Sequence, residues 1–225
     1  MPGSPFCFGE WGSVVYTVFL AGGIASGKSS VARRLVERGA WRCDLDAISR
    51  EVLEPGSPVL DDVAEAFGED LVDPVTGELD RAELARRAFA TREDAARLEA
   101  IELPAIADRL ADALARAQEG CCGESPRVAV VEIPLLDRMG ERIDLADEVL
   151  VVSCPVDVRR RRAIGRGMTA DDFDARAANQ PSDGYLAAHA NTVIDNAGDE
   201  TSLLAAVDAW WDEHEGRGWR VSGRG

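Results

Sequence analysis

The sequence has very little of several residue types and patterns. Histidine occurs only as His189 and His214, which argues against a histidine base and against a histidine-rich metal site. The five cysteines are odd in number and include no C-x-x-C spacing, so we expect reduced thiols rather than disulfides or a zinc site. No apolar run reaches the ~18 residues of a membrane span. These absences favour a cytosolic protein.

Basic residues are also in deficit, because 25 Lys and Arg face 41 Asp and Glu, a net charge of −16. Such a surface repels nucleic acid and anionic membranes, and we expect neither as a partner. Adaptation to salt and a biased genome composition are alternative causes of the acidic excess. The sequence also lacks a guanine-binding Asn-Lys-x-Asp or Thr-Lys-x-Asp box and the Leu-Ser-Gly-Gly-Gln signature of ABC proteins. Those two classes of nucleotide-binding protein are therefore excluded.

The 225 residues leave room for one α/β core with a smaller subdomain. Apolar strand-like runs at 14–20, 41–44, 128–133, 148–153 and 192–195 alternate with helical patterns, which predicts a three-layer α/β/α fold around a parallel sheet. We predict one domain at 14–213, with a helical acceptor-binding insertion at 59–118 and a lid at 155–182. A flexible leader, 1–13, and a flexible tail, 214–225, flank it. A monomer is favoured, although sequence does not fix the oligomeric state.

The strongest motif is the segment 22–29, which fits the phosphate-loop pattern G-x-x-x-x-G-K-[ST] at every fixed position. It lies between an apolar strand and an amphipathic helix, so backbone N–H groups and the helix dipole converge on one anionic site. The lysine can reach the outer phosphates and the last serine can be a Mg²⁺ ligand. The predicted nucleotide-binding residues are Gly22, Gly23, Ile24, Ala25, Ser26, Gly27, Lys28, Ser29 and Ser30.

Carboxylates follow two of the predicted strands. Asp44 and Asp46 come where the second strand ends, and Glu132 ends the third. In a phosphoryl transferase one carboxylate at this edge accepts a proton from the attacking hydroxyl, and another holds the hydroxyl or a metal-bound water. Glu132 is a candidate for the acid that orients Mg²⁺. Asp46 has an alternative role as a helix N-cap, because aspartate is a preferred cap.

The dense basic segment of the chain contains Arg159, Arg162 and Arg166. Helical spacing puts these three near one face, from which they can neutralise charge on a triphosphate. A solvated helix face is the alternative, and we predict the phosphate role for Arg162 and Arg166. Arg81 is a candidate for holding a phosphate of the acceptor or is an ordinary surface arginine. Asn196 follows the last strand, where backbone contacts to a nucleotide base are expected.

Several motifs resemble the dephospho-coenzyme A kinase family, in the same order, over about residues 15–211. They are the phosphate loop, Asp44-Leu45-Asp46, the stretch 50–58, Phe67-Gly68, the segment 77–81, Pro134-Leu135-Leu136, Arg162, Arg166, Gln180 and the segment 193–196 with Gly198. The resemblance implies transfer of the γ-phosphoryl group of ATP to the ribose 3′-hydroxyl of dephospho-coenzyme A, with Mg²⁺ as cofactor. It also implies Asp46 as the base, Arg81 as an acceptor-binding residue, and Arg162 and Arg166 as lid arginines.

The chain departs from the family pattern at several positions. Ala21 replaces threonine, Ala25 replaces glycine, Leu103 replaces the histidine of a His-Pro pair, Arg138 replaces an acid and Arg159 replaces glutamine. These departures keep two other functions open. One is a kinase for a different small hydroxyl compound, such as a nucleoside monophosphate. The other is a nucleotide-binding protein without turnover.

Overall fold

A strand that is buried along its whole length forms the centre of the sheet. The computed structural model of the protein describes residues 15–119 and 127–219, and all six residues of this strand, β1 (Tyr16–Ala21), are buried. The other strands are β2 (Trp41–Asp44), β3 (Val128–Glu132), β4 (Glu148–Ser153) and β5 (Thr192–Asp195). They form one parallel sheet in the order β2-β3-β1-β4-β5. Burial on both faces explains the nearly continuous apolar runs in β1, β3 and β4.

Helices cover both faces of the sheet. They are α1 (Lys28–Glu37), α2 (Leu45–Glu51), α3 (Pro58–Phe67), α4 (Arg81–Ala88), α5 (Arg92–Glu119), α6 (Val156–Gly165), α7 (Ala170–Ala178), α8 (Asp183–His189) and α9 (Glu200–Gly216). On one face, α1 and α9 enclose a core that contains Val31, Leu35 and Trp210. On the other, residues of α2, α3, α4, α5 and α8 enclose a second core. The predicted three-layer α/β/α fold with a parallel sheet is confirmed.

The span 59–118, predicted as a helical insertion, comprises most of α3, all of α4 and most of α5. Side-chain oxygens of Ser57 and Asp80 accept backbone N–H groups at the starts of α3 and α4, and Pro58 occupies the first turn of α3. Such N-caps satisfy donors that the first turn of a helix leaves unpaired. Within the described ranges, no helix combines the length and hydrophobicity needed to cross a bilayer.

The predicted end of the domain at residue 213 is too early. Helix α9 continues to Gly216, and the Trp219 ring packs against the rings of Tyr16, Trp210 and Trp211 at centroid distances of 5.7, 5.9 and 4.7 Å. Aromatic burial of this kind supplies apolar contact that a short sequence pattern does not reveal. The predicted leader, 1–13, and the last part of the predicted tail, 220–225, lie outside the described residues.

A buried carboxylate lies at the amino edge of the sheet. Glu148 is 4% exposed and accepts hydrogen bonds from Tyr16 Oη (2.8 Å) and Trp210 Nε1 (2.9 Å). His214 Nε2 lies 2.8 Å from Oε2 of the same carboxylate, the oxygen that also accepts from Tyr16. Burial, with the hydrogen bond to Glu148, raises the pKa of Tyr16. The network ties β1, β4 and α9 together at the end of the sheet opposite to the glycine-rich loop.

We predict that Glu148→Gln destabilises the protein by about 3 kcal/mol, because the amide turns an N–H group toward donors that had a carboxylate acceptor. Urea unfolding measures the change. Glu65→Gln, at an exposed position of α3, is the control and should stay within about 0.5 kcal/mol of the parent. Equal stabilities of the two variants would contradict a structural role for the network.

Candidate active site

Two fixed glycines of the loop have backbone conformations that other residues rarely adopt. Gly22 has φ 150° and Gly27 has φ 106°. A Cβ on Gly22 would lie 2.7 Å from Val152 O, and one on Gly27 would lie 2.3 Å from Asn196 Nδ2. No side chain caps α1, which begins directly after Gly27. The loop therefore presents backbone N–H groups and the positive end of α1 at the carboxyl edge of the sheet, which is a favourable site for a phosphate.

Lys28, the single lysine of the chain, is the first residue of α1. Its Nζ donates to Gly22 O and, at 3.3 Å, to Gly23 O. Burial lowers the pKa of Lys28, Glu132 opposes this shift, and the nearby positive charge of Arg159 adds to it. A partly desolvated cation bound only to neutral carbonyl oxygens is well suited to exchange them for phosphate oxygens.

Asn196, which follows β5, holds the loop, and Arg162 of α6 binds Asn196 and Gly198 beside it. Asn196 is 5% exposed, and its Nδ2 donates to Ser26 O at 2.7 Å. Arg162 Nη1 donates to Asn196 O at 3.0 Å, and Nη2 donates to Gly198 O at 2.9 Å. Both residues were predicted to contact the nucleotide, Asn196 at its base and Arg162 at its phosphates. The structure brings them together beside the loop, with the Asn196 side chain bound to the loop backbone.

The other arginines of α6 differ sharply in position. Arg159 is 6% exposed, and a Cβ on Gly23 would lie 2.0 Å from its Nη1. Its Nε donates to Cys154 O at 2.9 Å, and its Nη2 lies 2.9 Å from both carboxylate oxygens of Asp183. Arg166, predicted to be a lid arginine, is exposed at the end of α6, and its side chain makes no hydrogen bond or ion pair with a described residue.

Sequence reasoning placed Arg159 on the arginine face without assigning it to the loop. Helical spacing shows which side chains share a face, but it does not show which of them the sheet buries. Gln180 is a second residue without an assigned role: its Oε1 accepts from Ile24 N at 2.6 Å, so a loop N–H already binds an oxygen. The only signal for Gln180 was its place in the motif shared with the family.

The acidic residues occupy the adjoining end of the sheet. Asp44 Oδ1 accepts from Asp46 N at 2.9 Å and from Ala47 N at 3.3 Å, so Asp44 is the N-cap of α2. The alternative role of Asp46 as the cap is wrong, because α2 begins one residue before it. Asp46 is exposed in the first turn. Glu132 is opposite Asp44 in the sheet register, and its Oε1 lies 2.5 Å from Arg42 Nη2.

The donor set fits a magnesium ion that is shared with a bound phosphate. In the part of the chain that the structure describes, no three His, Cys, Asp or Glu side chains lie close enough to hold a metal ion by themselves. Mg²⁺ usually takes only one or two protein oxygens and completes its shell with phosphates and water. Ser29 is exposed beside Lys28, and Glu132 acts on the pKa of that lysine. These two residues are the candidates, although Glu132 is also paired with Arg42.

A largely apolar cavity of about 200 Å³ opens beside Asp46. Helices α2 and α5 and the segment that follows β3 enclose it, and its lining includes Ser49, Glu102, Leu103 and Arg138. Arg81 is exposed at the start of α4, where its Nη2 donates to Arg50 O at 3.0 Å. A cavity with a few polar groups, next to a carboxylate and at the same sheet edge as the phosphate loop, is suited to a second substrate.

The fold and the loop at its carboxyl edge define a P-loop nucleotide-binding protein. Comparison with known proteins narrows this class. The family model of dephospho-CoA kinase matches residues 16–201, and the chain belongs to that family. Members are kinases, so ATP is a substrate.

The relatives match over nearly their whole length. A dephospho-CoA kinase of Thermobifida fusca is 41% identical over 201 residues, which cover 89% of this chain and 96% of the relative. One of Corynebacterium jeikeium is 41% identical over 196 residues, 87% and 97% of the two chains. A crystal structure from Thermus thermophilus superposes with a TM-score of 0.72 at 29% identity and covers 88% of this chain and 97% of its own.

Ala25, within the phosphate loop, adopts φ 58°. We predict that Ala25→Gly stabilises the protein by roughly 1 kcal/mol, because an L-residue is strained in the left-handed region and glycine is not. Ala85→Gly, at an exposed position inside α4, should instead destabilise by roughly 1 kcal/mol. Chemical denaturation of the two variants provides the comparison. A loss of stability in both would show that the loop backbone is not strained at Ala25.

Proposed function

We propose that the protein transfers the γ-phosphoryl group of ATP to the ribose 3′-hydroxyl of dephospho-coenzyme A, which gives coenzyme A in the last step of its biosynthesis. The observation that carries this proposal is the position of Asp46. This carboxylate lines the apolar cavity and lies at the same edge of the sheet as the phosphate loop. An acceptor in the cavity can therefore present a hydroxyl group to both.

In the proposed reaction Asp46 accepts the proton of the 3′-hydroxyl as the oxygen attacks the γ-phosphorus, and the bond from that phosphorus to the bridging oxygen breaks to release ADP. Asp44 supports this step in two ways. Its Oδ1 holds the backbone of Asp46 and Ala47 as the N-cap of α2. Its other oxygen makes no hydrogen bond within the described residues and is available to orient the acceptor or a metal-bound water. Positioning and charge neutralisation provide most of the catalysis in phosphoryl transfer.

The phosphate chain of ATP would lie along the loop, where Lys28 exchanges Gly22 O and Gly23 O for phosphate oxygens. Arg162 is held beside the loop by Asn196 O and Gly198 O, and Arg166 stays a predicted lid residue that would have to move with α6. Mg²⁺, bound by Ser29 and Glu132, would neutralise charge on the phosphates. Arg81, at the start of α4, would bind a phosphate of the acceptor.

The direct test is to mix purified protein with ATP, Mg²⁺ and dephospho-coenzyme A and to measure coenzyme A by mass spectrometry. Adenosine monophosphate and other small alcohols are tested side by side. Formation of coenzyme A at a higher kcat/KM than any other product supports the proposal. Transfer to another acceptor alone assigns a different kinase, and nucleotide binding without transfer to any acceptor assigns a protein without turnover.

We predict that Asp46→Asn binds ATP like the parent but loses at least about a hundredfold in kcat, because a general base contributes roughly 10²–10⁴-fold. Lys28 provides the binding readout. As the single lysine, it gives one internal site for acetylation, and ATP should protect it equally in both proteins. Asp62→Asn, exposed on α3, is the matched control and should keep full activity. Full activity in Asp46→Asn would assign the base to another residue.

A further inference from the structure

Glu102 is a carboxyl group in the cavity that no described residue satisfies. It lies on α5 and lines the cavity together with Asp46, and its side chain makes no hydrogen bond or ion pair within the described ranges. Glu99, one turn earlier on the same helix, also lines the cavity but is paired with Arg138. A half-buried carboxyl group without a protein partner, in a cavity beside the proposed base, is placed to contact an acceptor bound there.

The surroundings of Glu102 favour its neutral form. Burial raises its pKa to about 7, and the positive charge of Arg81 only partly opposes this. The other charged side chains at the cavity are Asp46, Glu99, Arg138 and Arg142. Because Glu99 and Arg138 neutralise each other, they do little to favour the charged form of Glu102. Near neutral pH the carboxyl group therefore exists in both forms.

A neutral carboxyl group offers an O–H donor and a carbonyl acceptor side by side. Adenine offers the complementary pair, an amino donor next to a ring-nitrogen acceptor, which an asparagine or glutamine amide binds in the same two-point manner. An ionised carboxylate has no donor and loses one of these bonds. The proposed base, Asp46, lines the same cavity, so the group of the acceptor nearest to this cavity is the adenosine whose ribose reacts.

We propose that Glu102 recognises the adenine ring of the acceptor and is a specificity-determining residue of this kinase. The inference rests on the proposed function.

The test compares four proteins by the KM for dephospho-coenzyme A between pH 6 and pH 8: the parent, Glu102→Gln, Glu102→Leu and Glu93→Gln. The diphosphate of the acceptor stays fully ionised over this range, and titration of ATP affects all four equally. In the parent we expect KM to rise about tenfold from pH 6 to pH 8 as Glu102 ionises. Glu102→Gln should keep the low KM at every pH, and Glu102→Leu should have a KM at least about fivefold higher at every pH.

Glu93→Gln, at an exposed position of α5 outside the cavity lining, is the matched control and should keep the parent pH profile. A second acceptor, in which hypoxanthine replaces adenine, tests the base itself. Hypoxanthine presents an N–H group where adenine has a ring acceptor, so the parent should accept it relatively better at pH 8 than at pH 6. Glu102→Gln should show no such change with pH.

Denaturant unfolding gives a readout that is independent of activity. The raised pKa of Glu102 means that its contribution to stability is present below about pH 4.5 and is lost as the pH rises through 7. The denaturant midpoint of Glu102→Gln minus that of the parent should therefore increase from pH 5 to pH 8. A parent KM that is independent of pH, a pH profile retained by Glu102→Gln, or equal KM values for the Gln and Leu variants would overturn the inference. Absence of coenzyme A formation by the parent would instead refute the proposed function.

Discussion

The close approach of backbone to backbone at the end of β1 determines the rest of the site. Gly22 leaves the strand so near to Val152 O of β4 that a Cβ would collide with it, and a Cβ on Gly27 would collide with the side chain of Asn196. The loop is therefore fixed between β4, β5 and α1 before any nucleotide binds. The loop N–H groups converge on one anion site because β3 and β4, on either side of β1, restrict the path of the backbone after β1. Asp44 and Glu132, the last residues of β2 and β3, lie near the loop because parallel strands end at the same edge of the sheet.

Features that depend on local sequence were predictable. The first and last residues of β4 and β5 agree with the predicted strand-like runs 148–153 and 192–195. An apolar run between turns is typical of a buried strand. The loop was predictable because its glycines, lysine and serine have fixed spacing. The side of a helix that packs on the sheet was not predictable from local sequence. For that reason the buried Arg159 and the exposed Arg166 were both placed on one arginine face. Glu102 went unnoticed because an acid at a helical position gives no sign of its burial.

Charge is distributed unevenly in this acidic protein. Outside the loop, many arginines are paired on the surface, as Arg34 is with Asp208 at 2.7 Å and Arg160 with Asp174 at 3.0 Å. Such pairs contribute little to stability individually. Near the loop, by contrast, Lys28 makes its hydrogen bonds to neutral oxygens. The net charge of −16 repels polyanions over the surface, whereas a small anion that reaches the loop meets partly desolvated cations.

The hydrogen-bond donors in and beside the loop, except Arg159, have neutral oxygen atoms as their partners. Ile24 N donates to the amide oxygen of Gln180, Lys28 donates to two loop carbonyls, and Arg162 donates to Asn196 O and Gly198 O. Each of these acceptors is neutral, so a phosphate oxygen that replaces one gains a charge-assisted hydrogen bond without having to break an ion pair. The donors are already oriented, which keeps the reorganisation on binding small. Arg159 is the exception, because Asp183 holds it in an ion pair next to Gly23. It therefore adds positive potential at the loop from a fixed position, whereas Lys28 and Arg162 are free to change partners.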